Sequence, residues 1–118
     1  MEEVSKIKME SILTSIKKLL GITEDYTHFD ADIIMHINSA ISVLTQLGVG
    51  PDEGYRITSA EETWSDFIGD DPRFNMVKTY VFQKVRLMFD PPVSSSATEA
   101  AKNAIAEFEW RLNVATEK

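Results

Sequence analysis

No cysteine occurs among the 118 residues, which excludes a disulfide framework, a thiolate nucleophile and Cys-ligated zinc, and fits a reducing compartment. Histidine is nearly as scarce. His28 and His36 are the only two, with no His-Glu-x-x-His, His-x-Glu or EF-hand loop around them, so neither a metal nor any other cofactor is expected. His36 lies at the border of an apolar helical arc and reads as a hydrogen-bonded edge residue. Glycine-rich phosphate loops and the Gly-x-Ser-x-Gly elbow are absent, and the Ser94 to Ser96 run has no partnering His or Lys near it in sequence. The paired carboxylates Glu24-Asp25, Asp30/Asp32 and Asp70-Asp71 stand just before helices, where caps and dipole complements explain them better than acid/base chemistry. An enzyme is not expected.

Net positive charge is also missing. The formal net charge is -7, which argues against affinity won by neutralising nucleic-acid phosphates and leaves room for a protein that surrounds DNA without gripping it. No long uninterrupted apolar run exists either. Met1 to Lys6 provide no apolar signal core, and the longest charge-free stretch is broken by Asn38, Ser39, Ser42, Thr45 and Gln46. The expectation is a soluble, non-secreted protein with no membrane partner. Its length suits one domain, residues 1–118.

What the chain does have is that charge-free stretch. Between Asp32 and Asp52 there is no Asp, Glu, Lys or Arg, although 26% of the whole chain is charged. Ile33 to Leu47 has a helical apolar pattern whose opposite face is Asn, Ser, Thr and Gln, where an ordinary surface helix carries Lys and Glu. Desolvating an amide or hydroxyl costs far less than desolvating an ion. The face therefore fits either a subunit contact or a helix in the middle of a monomeric bundle. Charge elsewhere is uneven: residues 21–71 are strongly acidic, whereas 72–90 carry Arg73, Lys78, Lys84 and Arg86 against Asp90 alone. Such polarity supports head-to-tail packing of copies and equally well helix pairing inside one monomer.

Periodicity predicts an all-α chain, a small bundle of four main helices plus one short helix. The first runs from Val4 or Met9 to Leu20 and is stopped by Gly21, with Lys17 and Lys18 complementing its dipole. The second begins near Asp30 as N-cap and ends at Leu47, with Gly48 in the left-handed cap position. Residues 49–58 read as a loop or short β-arm. Ser59-Ala60-Glu61-Glu62 resembles a capping box for a short helix that carries Trp64, Phe67 and Ile68 and ends at Gly69. Asp71-Pro72 starts the third main helix, which Asp90-Pro91-Pro92 ends after Phe89. A second capping box, Ser96 to Glu99, starts the last helix.

Two of these helices carry more apolar surface than one core contact needs. In the third, Phe74, Val77, Val81, Val85 and Met88 form one stripe while Met76, Tyr80 and Leu87 lie almost opposite, as in a helix central in a bundle or sandwiched between subunits. In the last, Ala101, Ala104, Ile105, Phe108 and Leu112 form the core face. Ala106, Trp110 and Val114 recur every four residues on another, which reads as an intersubunit anchor or as the roof of the core edge. The four bases of the third helix are scattered around its circumference, which is unlike a DNA-reading helix.

Ordered segments carry a family resemblance: Ser15 to Ile22, Asp30 to Gly50, Trp64-Ser65-Asp66-Phe67, the text Tyr80-Val81-x-x-Lys84-Val85-x-Leu87-x-Phe89-Asp90-Pro91-Pro92, and Phe108 to Asn113. Over roughly residues 9–115 the chain resembles the head-tail connector proteins of tailed bacteriophages and prophages, also termed adaptor or head-completion proteins. The resemblance implies a helical bundle that assembles as a homo-oligomeric ring, commonly of about twelve copies, on the portal protein after DNA packaging. Such a ring extends the DNA channel and receives a further neck or tail-completion protein. Its place would be the virion neck, reached from the host cytoplasm during assembly. A loop between helices facing the channel or a neighbour would map onto Gly50 to Thr58, with Tyr55, Arg56 and Ile57 as candidate residues. The C-terminal helix would contact the portal, with Ala106, Trp110 and Val114 as candidates.

The candidate subunit interface is then Asn38, Ser39, Ser42, Thr45 and Gln46 together with Met76, Tyr80 and Leu87. An acidic lining would repel phosphates and let a duplex slide through without specific binding. The expected function is a non-enzymatic virion structural protein joining portal to tail. The alternative is a small helical nucleic-acid-binding factor for packaging or regulation.

Overall fold

The computed structural model describes residues 10–116. They form α1 (Ile12–Leu19), α2 (Asp30–Gln46), α3 (Trp64–Ile68), α4 (Phe74–Phe89) and α5 (Ser95–Thr116), with no strand among the described residues. The chain is all-α, as the periodicity predicts, and residues 49–58 take the loop form of the two expected.

Helix α1 spans Ile12–Leu19; the expected starts at Val4 or Met9 lie outside the described residues. Ser11 caps it, its side chain accepting from the Thr14 N–H at 3.1 Å. Just upstream, Ile12 N–H donates to Glu62 O and Trp64 N–H to Glu10 O, making one antiparallel bridge between Ser11 and Thr63. That bridge moves the short helix. Glu62 does accept from the Thr58 and Ser59 amides, yet the chain then stays extended. The working capping box is Thr63 with Asp66, and α3 begins at Trp64.

Three other expected caps are displaced. Asp30 is the first residue of α2 and makes no cap; its carboxylate pairs with Lys17 Nζ at 2.8 Å. Lys17 is buried and also donates to Glu24 O at 3.0 Å, so one ammonium ties the end of α1 to the connection and to α2. Asp71 Oδ1 accepts from the Arg73 amide at 2.8 Å and its carboxylate takes the Arg73 guanidinium, so 71–73 is a turn and α4 opens at Phe74. Ser94, not Ser96, caps α5, accepting from Ala97 N–H at 3.1 Å.

The buried side chains form one core. Ile12, Leu13 and Ile16 of α1 meet Ile33, Ile37, Ala40, Ile41 and Leu44 of α2, with Val77, Tyr80, Val81 and Val85 of α4 between them and Ile105 and Leu112 of α5. Helix α4 is the hub, packing on α2, α5 and α1. Most of its two-sided apolar pattern is therefore covered inside one chain, with Met88 left exposed. Tyr80 is fully buried and donates to Glu109 Oε2 on α5 at 2.7 Å, while Met76 and Leu87 are half-buried against the core. The expectation of a subunit surface is corrected for Tyr80, which α5 covers, whereas Met76 and Leu87 keep partial exposure. Burial first, and then the hydrogen bond to Glu109, push the Tyr80 phenol above its ordinary pKa.

Trp64 is the largest buried side chain, and its indole N–H donates to Ser15 Oγ at 2.8 Å. Ser15 in turn donates to Ile12 O, so the one polar atom of Trp64 is satisfied inside the core.

Candidate functional site

The polar face of α2 and the loop that follows it build a single open groove of ≈ 910 Å³. The construction starts with Asn38, a poor residue for the middle of a helix because its amide competes for backbone groups. Here that amide is spent on the loop: Asn38 Nδ2 donates to Ile57 O at 2.9 Å and Oδ1 accepts from Ile57 N–H at 2.8 Å. Both backbone groups of Ile57 are thus paired, and its side chain is buried in the core.

Two further contacts hold the loop. Tyr55 stacks on Phe67 of α3 with ring centroids 5.2 Å apart. Gly50 lies against the same ring: a Cβ there would come within 2.5 Å of Phe67, and φ is +84°. Only glycine fits both conditions. Glu62 fixes the far end, accepting from the amides and hydroxyls of Thr58 and Ser59. Partial burial works against the Glu62 charge, but these bonds outweigh it and hold the carboxyl below its usual range. Tyr55 is pushed up to about 12, by burial first and then by the nearby Asp66 and Glu62 carboxylates. It remains a neutral hydrogen-bonding group in the groove at any physiological pH.

All five predicted polar residues of α2 line this groove, as do Tyr55 and Arg56. The structure therefore brings together two sets that sequence reasoning treats separately. Ile57 is the exception. Its expected role as a channel or neighbour contact is corrected, since its side chain points into the core because the Asn38 clamp turns it there. Within the groove, Ser39 and Thr45 hydroxyls donate to the carbonyls four residues back. Ser42, Gln46 and Arg56 have no partner among the described residues. Met35 at the rim, 56% exposed, was not anticipated; the signal for it was a methionine within the charge-free stretch but off the core stripe.

A second uncovered surface lies on α5. Trp110 is 67% exposed and Val114 45%, and Ala106 is exposed beside them. Trp110 does not roof the core: Ile105, Phe108 and Leu112 face α4 instead. The nearby Glu107–Arg111 pair at 2.7 Å is mostly solvated and adds little stability.

The electrostatics of the rest are structural. Of the four bases in residues 72–90, Arg73 ahead of α4 is taken by Asp71, Lys78 by Glu10 at 2.9 Å, and Lys84 approaches Glu109 at 3.9 Å; Arg86 is exposed. Among the described residues no group of three His, Asp or Glu could hold a metal ion, and no helix is long and apolar enough to cross a membrane. What the groove offers is neutral hydrogen-bonding groups, one cation in Arg56, one carboxylate in Glu53 and one thioether in Met35, which suits recognition of another surface.

The sequence pattern of the family described as phage connector protein matches residues 12–118. Among curated proteins and solved structures, nothing matches the chain.

Proposed function

Because the chain belongs to the phage connector protein family, we propose that it is a non-enzymatic virion structural protein that forms a ring between portal and tail and prolongs the DNA channel. The family is structural, not catalytic, and the observation that carries the finer reading is the pair of dissimilar uncovered surfaces on one small chain. One is an open groove between the charge-free face of α2 and the loop that carries Glu53 and Arg56; the other is an exposed apolar row on α5. A ring is closed by repeating one contact between two different patches, so each subunit needs a pair of this kind.

The ring would hold about twelve copies, the number that the resemblance to head-tail connectors implies. The net charge of -7 suits a channel through which DNA moves, because repelled phosphates leave no counterions to release. The nucleic-acid-binding alternative gains no support from α4, whose bases are largely spent on internal ion pairs.

The test is assembly. Purified chain mixed with the portal protein of the same phage should give stoichiometric rings by negative-stain imaging. Persistent monomers that associate with no portal or neck protein would overturn the proposal. Steeply salt-dependent DNA binding near micromolar concentration would favour the alternative.

A further inference from the structure

Three groups on the surface lack a partner that their chemistry calls for. Arg56 is exposed with no ion-pair partner among the described residues, Met35 presents its thioether to solvent, and Trp110 presents most of its indole. A guanidinium stacks on the electron-rich face of an indole, and a thioether packs favourably at an aromatic edge. An indole N–H is a donor only and needs an acceptor once water is removed. Ser42 and Gln46 supply side-chain oxygens with no intramolecular partner, on the same wall as Arg56 and Met35.

We infer that the Trp110 indole of one copy seats in the α2–loop groove of the next, between Arg56 and Met35, with its N–H turned to Ser42 or Gln46. This rests on the ring reading and names the contact that closes the ring. The two patches belong to different helices that each pack on α4, so a copy can give its Trp110 while receiving that of another copy. The groove, at ≈ 910 Å³, has room for the indole and for the flanking Ala106 and Val114. Its wall needs no rearrangement, because Asn38, Phe67 and Glu62 already hold the loop. On the α2 side its lining carries no charge, which keeps the desolvation cost low there, while Glu53 and Arg56 stand on the loop side.

A smaller groove of ≈ 470 Å³ lies between α4 and α5 and includes Phe108 and Arg111. It is the weaker receptor on geometric grounds. Most of its wall is α5, so a Trp110 seated there would place α5 on α5. A patch that meets its own copy makes a two-fold contact that stops at a dimer, whereas the α2 groove gives a head-to-tail contact that can repeat.

Because the chain has no cysteine, one thiol introduced on each patch is unique. Ser42→Cys and Ala106→Cys chains, mixed in equal amounts on portal rings and treated with a short bis-maleimide, should give mostly the mixed Ser42→Cys/Ala106→Cys product. Adding Trp110→Ala or Arg56→Ala should cut its yield about ten-fold, as expected for removing an interface anchor. The pair Gln46→Cys and Val114→Cys serves if the first pair folds poorly. Intact rings with no mixed product, and with the Ala106→Cys chain linked to portal instead, would overturn this contact and leave the ring standing. A dominant Ala106→Cys homodimer would overturn it in favour of the two-fold contact. Failure of the unmodified chain to assemble on portal would remove the ring reading and this contact together.

Discussion

Asn38 in the middle of α2 and Ile57 in the loop are joined by two hydrogen bonds across nineteen positions of sequence, with Asn38 both accepting from and donating to the same residue's backbone. The side chain does what a neighbouring strand would do. It lets a segment without regular secondary structure keep its backbone paired while partly buried. It also aims Ile57 inward and leaves Tyr55 and Arg56 on the groove wall.

Asn38→Ala removes both bonds and leaves two partly buried backbone groups without partners, at a cost of about 1–3 kcal/mol. Hydrogen exchange should show faster exchange at the Ile57 amide, with α2 amides much less affected. Unchanged protection of Ile57 would mean that packing alone holds the loop.

Gly50→Ala places a methyl group against the Phe67 ring and a side chain at positive φ, which should cost about 1–3 kcal/mol. Urea denaturation should report it as a lower midpoint. Gly21→Ala has the strained φ but open space, so it should cost less.

Trp110→Ala should leave the monomer's stability within about 0.5 kcal/mol of the parent, because the side chain is mostly solvated. Leu112→Ala, two residues away and fully buried, should cost about 2–5 kcal/mol. A large loss of monomer melting temperature in Trp110→Ala would place that indole in the core.

Asp71 governs part of the acid response. The Arg73 guanidinium holds its carboxyl below the ordinary value of 3.8. A depressed folded pKa contributes stability that is complete above the unfolded value and is lost as pH falls through the folded one. The stability gap between parent and Asp71→Asn should therefore be constant at neutral pH and shrink below about pH 4. Equilibrium denaturation at several pH values measures it, and a gap independent of pH would refute the role.

Tyr80 governs part of the alkaline response in the opposite sense. Its raised folded pKa keeps the neutral phenol, so its contribution is complete below the unfolded value of about 10 and is lost as pH rises above it. Tyr80→Phe should cost about 1 kcal/mol at neutral pH, through the lost bond to Glu109, and should flatten the alkaline limb. A limb as steep as the parent's would assign the alkaline loss to other groups.

Much of the fold was legible because its rules are local. The 3.6-residue period located α2, α4 and α5 and their core faces, and glycines closed helices where a left-handed turn was needed: Gly48 and Gly69 both have positive φ. The caps were less legible for an equally physical reason. Ser59-x-x-Glu62 and Thr63-x-x-Asp66 both satisfy the capping rule, and only the pairing of Ser11 with Thr63 decides which one starts a helix. Asp30 and Asp71 were good caps by type, but Lys17 and Arg73 engaged their carboxylates instead.

The sequence by itself determined the helical class, the absence of charge along one face of α2 and the Ala106, Trp110, Val114 row, since each depends only on residue type and spacing. Tertiary structure alone decided which apolar faces stay uncovered. Helix α5 covered the second face of α4 and so withdrew Tyr80 from the surface, while the Asn38 clamp folded the loop back onto α2 and made a groove from two separate segments. Periodicity records what a helix can bury. What it does bury depends on which distant element pairs with it, and here that was settled by hydrogen bonds spanning nineteen residues between Asn38 and Ile57 and twenty-nine between Tyr80 and Glu109.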